Sequence, residues 1–381
     1  MSLPARLLLL SLLLCLGAAR AEAPAPPPEN LLRALGRGVN LSIWYTYREQ
    51  PGIDPAYWYP AGTDWPRLKA LGMRHVRVQF EPAYFHDSAT SEVLRSARVA
   101  ALRRDLAQAW EHGLVVVLAA EPPTTEKARL VRDEAGIAEL AAFWRVFAKA
   151  LQDVPPDRLV FELLNEPGVP DAAANRALMQ RLVDAARSAA PGHTLVVEGH
   201  GYAGIDELLA FEPLAMSNLV YSFHFYEPTN FTHQGATWSW PMFSKLKGLP
   251  YPASPEAVQA ALAAAEDEAK PVIADYGAQH WDRARIEARL RGLRDWRERK
   301  GVALWCGEFG AARLGAPEDS RRRWLADVRA TLEAEGIPWS LFDFAGHFGL
   351  FSGHSGARVL DADAAKALGL DAGESKPHGR P

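Results

Sequence analysis

The fold turns on one stretch, Leu159-Val160-Phe161-Glu162-Leu163-Leu164-Asn165-Glu166-Pro167. It begins as an apolar run rich in Leu, Val and Phe, the composition of a buried strand. It stops at Pro167, whose missing N–H cannot continue a sheet ladder. Glu166 is thereby left at the carboxyl end of an apolar strand. Partial desolvation favours the protonated form of a carboxyl, which suits a general acid. Most glutamates in that place merely open a solvated loop, so Glu166 gains meaning only from a counterpart.

The counterpart is Val302-Ala303-Leu304-Trp305-Cys306-Gly307-Glu308-Phe309-Gly310, another apolar strand that delivers a Glu between glycines. Glycine there permits a tight turn or the close approach of a ligand. Between and around these strands, apolar runs alternate with helical patterns, which predicts a parallel α/β fold. The runs are 38–43, 75–80, 115–120, the opening stretch, 194–198, 219–225, the Glu308 strand and 338–344. A ninth candidate, 272–276, reads as an extra strand or extended loop and is set aside. Two carboxylates at the C-terminal ends of parallel strands can face each other across a barrel mouth, as glycoside cleavage requires.

Three motifs in order, Asn165-Glu166-Pro167, His224-Phe225-Tyr226 and Gly307-Glu308-Phe309-Gly310, make the chain resemble glycoside hydrolase family 5, the cellulase-like retaining enzymes. The resemblance covers nearly the whole chain after the leader. It implies a single-domain (β/α)8 TIM barrel, with Glu166 on strand four as acid/base and Glu308 on strand seven as nucleophile. It implies that Asn165 binds the substrate 2-hydroxyl, that His224 and Tyr226 are active-site polar residues, and that Arg77 is the family's strand-two arginine, all four grouped with the substrate-binding residues. Two departures stand out. Ala119 and Ala120 occupy the place of an Asp-x-His element, and Phe342 replaces the Trp that floors the site. The implied activity is a secreted retaining β-glycosidase on a β-linked polysaccharide or oligosaccharide, foremost an endo-β-1,4-glucanase. A β-mannanase, an exopolysaccharide-processing glycosidase or a transglycosylase is the alternative.

The residues themselves add to this. Arg77 lies between Val76 and Val78; if the valines face outward it points into the barrel, where it needs a carboxylate partner. Period-two alternation places Ser222, His224 and Tyr226 on one face. Aromatic density after the first strand makes Trp44 a candidate sugar platform, and the long loop 229–255 offers Trp238 and Trp240. His200, between Gly199 and Gly201, is a candidate substrate contact. Glu121 reads first as a solvated loop residue and second as a replacement for the polar contact missing at Ala119 and Ala120.

The chain has 381 residues, 48% hydrophobic and 23% charged, with a formal net charge of −4. That is ordinary for a large globular domain and argues against a nucleic-acid partner. Residues 1–21 read as a secretory signal peptide, with Arg6 ahead of a short apolar run and Ala19-Arg20-Ala21 as a cleavage site. This implies a periplasmic or extracellular location with no stable membrane insertion after cleavage. Residues 22–30 read as a Pro-rich linker outside the core, 31–370 as the catalytic domain and 371–381 as a loose tail. Cys306 is then the one remaining cysteine, a buried thiol. The expected assembly is a monomer without cofactor or metal. A non-catalytic carbohydrate-binding barrel would not need both glutamates, and a metal-using barrel built on Glu121, His200 and His224 lacks a ligand motif.

Overall fold

The computed structural model describes residues 24–48, 51–87 and 90–370; the leader and the tail lie outside them. Eight parallel strands close into a barrel: β1 (Arg37–Tyr45), β2 (His75–Phe80), β3 (Val115–Ala120), β4 (Leu159–Glu162), β5 (Thr194–Glu198), β6 (Leu219–Phe225), β7 (Ala303–Phe309) and β8 (Trp339–Leu341). Each pairs with its neighbours in sequence, and β8 closes on β1 through Gly38 opposite Ser340. Apolar runs set the middle of this order, because strands covered by helices are buried on both faces. Glu166 follows β4 and Glu308 lies on β7.

Helices form the outer layer and bury one stripe each. Glu134–Leu151 packs Phe143, Trp144 and Phe147 on Phe80 of β2 and Trp144 on Phe161 of β4; Phe147 stacks on Phe80 with ring centroids 4.9 Å apart. Asp133 caps its N-terminus by accepting from the Gly136 N–H, as Asp171 and Asp282 cap 172–189 and 283–300. The floor is apolar: Leu31 and Leu35 plug the barrel against Val115, Val117, Val160, Val196, Val220 and Trp305. Above that layer the interior turns polar, with buried Asn40, Arg77, Glu162, Glu198, Ser222, His224 and Glu308. No helix among the described residues is long and apolar enough to cross a membrane.

Two expectations are corrected. Residues 272–276 belong to a helix, Lys270–Ala278, in which Pro271 serves as a first-turn proline rather than a strand breaker. A short helix, Gln259–Ala264, precedes it. The Pro-rich segment does not hang free: Ala25 accepts from the Asn218 N–H at 2.8 Å, donates to Ser217 Oγ at 2.9 Å, and Pro27 is buried.

Close packing at the floor yields a stability test. A Cβ on Gly38 would sit 2.1 Å from the His75 ring. That ring is held by Ala34 O at 3.2 Å and lies edge-on to Trp305. Gly38→Ala is therefore expected to lose about 1–3 kcal/mol in denaturant unfolding; wild-type stability would show that the floor yields freely.

Candidate active site

Arg77, fully buried, organises the residues beneath the barrel mouth. Its Nε and Nη2 donate to Glu162 at 2.7 and 2.6 Å. Nη1 donates to Asn40 Oδ1 at 2.8 Å and to Glu308 Oε1 at 2.5 Å, and Nη2 also donates to Asn165 Oδ1 at 2.6 Å. All five guanidinium N–H groups thus meet an acceptor. The carboxylate partner expected of Arg77 is supplied twice, by Glu308 and by Glu162. Being enclosed, Arg77 cannot touch a ligand. The substrate contact expected of it is corrected to support of Glu308.

Glu308 also accepts from Gln79 Nε2 at 2.9 Å and from the Tyr226 hydroxyl at 2.7 Å. Burial and the negative charge of Glu308 hold Tyr226 in its neutral phenol form. Glu308 faces inward because β7 is irregular. The register against β6 shifts between Phe223 and His224, so His224 pairs with Glu308 instead of Gly307. A side chain at Gly307 would begin 2.6 Å from Ser222 Oγ, and one at Gly310 2.2 Å from the Phe342 carbonyl. Both glycines therefore serve chain packing, not ligand approach. The Cys306 thiol is buried, pushed well up by burial, and bonds the Glu308 carbonyl.

Glu166 sits three residues beyond Leu163 with a φ of +41°, a conformation L-residues rarely hold unaided. Its N–H donates to Glu198 Oε2 at 2.7 Å, and its Oε1 lies 3.0 Å from His224 Nδ1. His224 Nε2 is 3.1 Å from Glu198 Oε1, and Nδ1 is 3.7 Å from Glu308 Oε2. Burial alone would deprotonate His224, but the charges of Glu308 and Glu198 and the hydrogen bond to Glu166 outweigh it and favour the charged ring. Burial also pushes Glu162 up. Glu198 is held low despite its burial, by His224 and by Arg77. One carboxylate oxygen each of Glu166 and Glu308 lie within 4.8 Å of each other.

Above these groups is a cavity of about 480 Å³, lined in part by Glu166, Glu308, Asn165, Gln79, Glu121 and Asp343. Tyr47, Trp58, Trp238, Phe342 and Phe348 add flat rings. Trp238 is half exposed and stacks parallel on His347 at 5.3 Å. His224 and Tyr226 lie behind the wall and reach it through the two glutamates. Four sequence expectations fail here. Trp44 lies within β1, turned outward into the core beside Trp65, because the strand runs on to Tyr45. His200 and Trp240 are not on the cavity wall; Trp240 stands edge-on to Phe243. Glu121 is no solvated loop residue: it accepts from Lys127 and from Asn165 Nδ2, each at 2.8 Å.

Sequence reasoning missed Glu162, Glu198, Gln79 and Asp343. The signal for two of them was available: Glu162 and Glu198 end adjacent strands in phase with the inward-facing Val160 and Val196. Two triads, Glu162–Glu198–His224 and Glu166–His224–Glu308, bring possible metal-ligand atoms within 4.8 Å. In both triads His224 already lies between acids, and Arg77 already engages Glu162 and Glu308, so the donor atoms are committed to an ion-pair network.

Burial pushes Glu121 up to about 7 against the pull of Lys127, and Asp343 up to about 7 against hydrogen bonds from Ser42 and the Phe344 N–H. Unfolded, both titrate near about 4. The folded chain therefore binds more protons between those values, so this stability is full below the unfolded value and is lost as pH rises through 7. Glu198, held low, acts below that window. Buried His75 and His233, pushed down by burial to about 3 and about 4, work in the opposite sense below about 6.5. Stability in denaturant is therefore expected to fall between pH 6.5 and pH 8, and Asp343→Asn to flatten part of that slope. An unchanged slope in that variant would remove Asp343 from the account.

Residues 42–347 match the family described as Cellulase (glycosyl hydrolase family 5). Endoglucanase 3 of Fibrobacter succinogenes is 28% identical over 249 residues, 63% of this chain but 37% of that protein. Endoglucanase C of Acetivibrio thermocellus is 24% identical over 313 residues, 81% of this chain and 90% of that one. Among solved structures, Thermotoga maritima Cel5A superposes with a TM-score of 0.74 as a mutant with cellobiose, at 22% identity, covering 90% of this chain and 99% of that one. With mannotriose it gives 0.72 at 21% identity, covering 89% and 98%. These neighbours share the barrel. With the family model spanning most of the chain, the protein belongs to glycosyl hydrolase family 5 and is a glycoside hydrolase of the retaining type.

Proposed function

We propose that this chain is a secreted endo-β-1,4-glucanase in which Glu308 is the nucleophile and Glu166 the general acid/base. The observation that carries the reading is the approach of their carboxylate oxygens to within 4.8 Å on one cavity. Retaining enzymes hold the two carboxyls about 5–5.5 Å apart, whereas inverting ones leave about 6.5–9.5 Å for a water. Glu308 attacks the anomeric carbon while Glu166 gives its proton to the departing glycosidic oxygen. In the second half, Glu166 takes a proton from water, which displaces Glu308 from the sugar. Arg77, Gln79 and Tyr226 fix the orientation of Glu308 and take up its negative charge.

The five flat rings on the cavity supply faces for sugar stacking, and no Lys or Arg is among its lining residues. Both features suit a neutral glycan. The names of the matched relatives favour β-1,4-glucan. β-Mannan is the second reading, because Phe342 offers a smaller floor than the family's usual ring and the Thermotoga neighbour accommodates both kinds of oligosaccharide. Residues 1–21 support export, and the mature protein is expected to begin at Glu22; an intact Met1 terminus on protein recovered outside the cytoplasm would contradict this.

Incubation with cello- and manno-oligosaccharides, with product sizing, tests the substrate. Proton NMR of the first reducing ends should show the β-anomer; an α-anomer would overturn the retaining assignment. Glu166→Ala is expected to lose about 10²–10⁴-fold in kcat/KM on the natural glycan, and Glu308→Ala to fall to background. A fully active Glu308→Ala protein would refute the assignment.

A further inference from the structure

Glu198 is a buried carboxylate that the two-glutamate mechanism does not use, yet it touches the acid/base by two routes. One oxygen accepts the Glu166 N–H at 2.7 Å, and the other lies 3.1 Å from His224 Nε2, whose Nδ1 is 3.0 Å from Glu166 Oε1. The three residues form a closed ring of contacts built from the ends of β4, β5 and β6. Asn175 Nδ2 bonds the Glu198 carbonyl at 2.9 Å, and Ser222 Oγ donates to its Oε1 at 3.3 Å, so the carboxylate is itself fixed.

We propose that Glu198 is a positioning residue that sets which oxygen of Glu166 carries the catalytic proton. With Glu198 ionised 3.1 Å from Nε2, an ion-pair contact outside hydrogen-bond alignment, its charge favours the imidazolium, which carries an N–H at both nitrogens. Nδ1–H then occupies Glu166 Oε1 as an acceptor, and the transferable proton resides on Oε2, toward the glycosidic oxygen. Without the Glu198 charge, a neutral His224 can turn its Nδ1 lone pair to Glu166 and draw that proton away from the leaving group. The other charged or titratable groups facing the ring are Glu308, at 3.7 Å from Nδ1, Tyr226 on the same strand, Arg77, at 3.9 Å from Glu198, and Glu162 beside it. The same carboxylate also anchors the left-handed backbone of Glu166, so position and proton are fixed together.

The inference rests on the acid/base role of Glu166 and is tested with Glu198→Gln, which keeps shape and removes charge. Poor leaving groups need the proton and good ones do not. On cellopentaose, kcat/KM is expected to drop by about 100-fold; on 2,4-dinitrophenyl β-cellobioside, whose phenolate leaves unaided, the drop should be at least about tenfold smaller, with Glu166→Ala showing the same contrast. Equal losses on both substrates, or none on either, would overturn the proposal. Nitrogen-15 NMR of the His224 ring provides an arm independent of activity and of the choice of sugar. An imidazolium is expected at pH 7.5 in the wild type and a neutral ring in Glu198→Gln, read on samples whose circular dichroism matches. A ring charged in both variants would sink the idea even if neither substrate were cleaved, whereas the expected NMR change without cleavage would count against the substrate reading alone. Should Glu198→Gln fail to fold, a neutral His224 ring in the wild type would still overturn the proposal.

Discussion

The structure depends on one burial: the Arg77 guanidinium, sealed in the barrel with every N–H engaged. Moving such a charge out of water unpaired costs far more than a domain's whole stability, so its partners are obligatory. They come from β1, β4 and β7 and the turn after β4: Asn40, Glu162, Glu308 and Asn165. One side chain thereby ties together segments far apart in sequence. Removing it would leave Glu162 buried and uncompensated, the costly half of a broken ion pair. The interior is thus divided: an apolar plug at the floor, where Leu31 and Leu35 meet a ring of valines, and an ion-pair network above it.

The network distributes charge so that two carboxylates at the mouth remain distinct. Glu308 is held by three donors and is nearly enclosed. Glu166 is partly exposed, with its backbone tied down by Glu198 and its side chain met by His224. Two equivalent acids facing one cavity would be interchangeable; different surroundings are what the proposed division into nucleophile and acid/base requires. Glu162 and Glu198 lie one layer lower and are not on that cavity's wall, yet they hold Arg77 and His224 against Glu308 and Glu166.

The cavity above shows where this chain departs from its family's pattern. Small residues, Ala119 and Ala120, end β3, and the polar contact in that quarter comes from Glu121 with Lys127 and Asn165 behind it. At β8 the ring is Phe342, followed by Asp343 bound to Ser42. Both acids are buried enough to be partly protonated near neutrality, so the cavity's charge changes with pH while its shape need not.

The sequence by itself determined the barrel and the order of its parts. Four of its strands, β2, β3, β5 and β6, coincide with the stretches read as strands: β3 is apolar throughout, while β2 alternates because Arg77 and Gln79 face the polar interior. It also singled out Glu166 and Glu308, since a carboxyl ending an apolar strand is conspicuous in one dimension. Residues 272–276 misled, because a short apolar run is the same for a strand and a helix and only Pro271 marked the difference. What the tertiary structure alone decided was facing and pairing. Trp44 turned into the core because β1 extends two residues further. Glu308 rotated inward because of an irregularity in β7 that no alternation rule contains. Glu162 and Glu198 became partners of Arg77 and His224 only once the sheet closed, because contact between strands is set by register around the barrel, and register is a property of the whole ring.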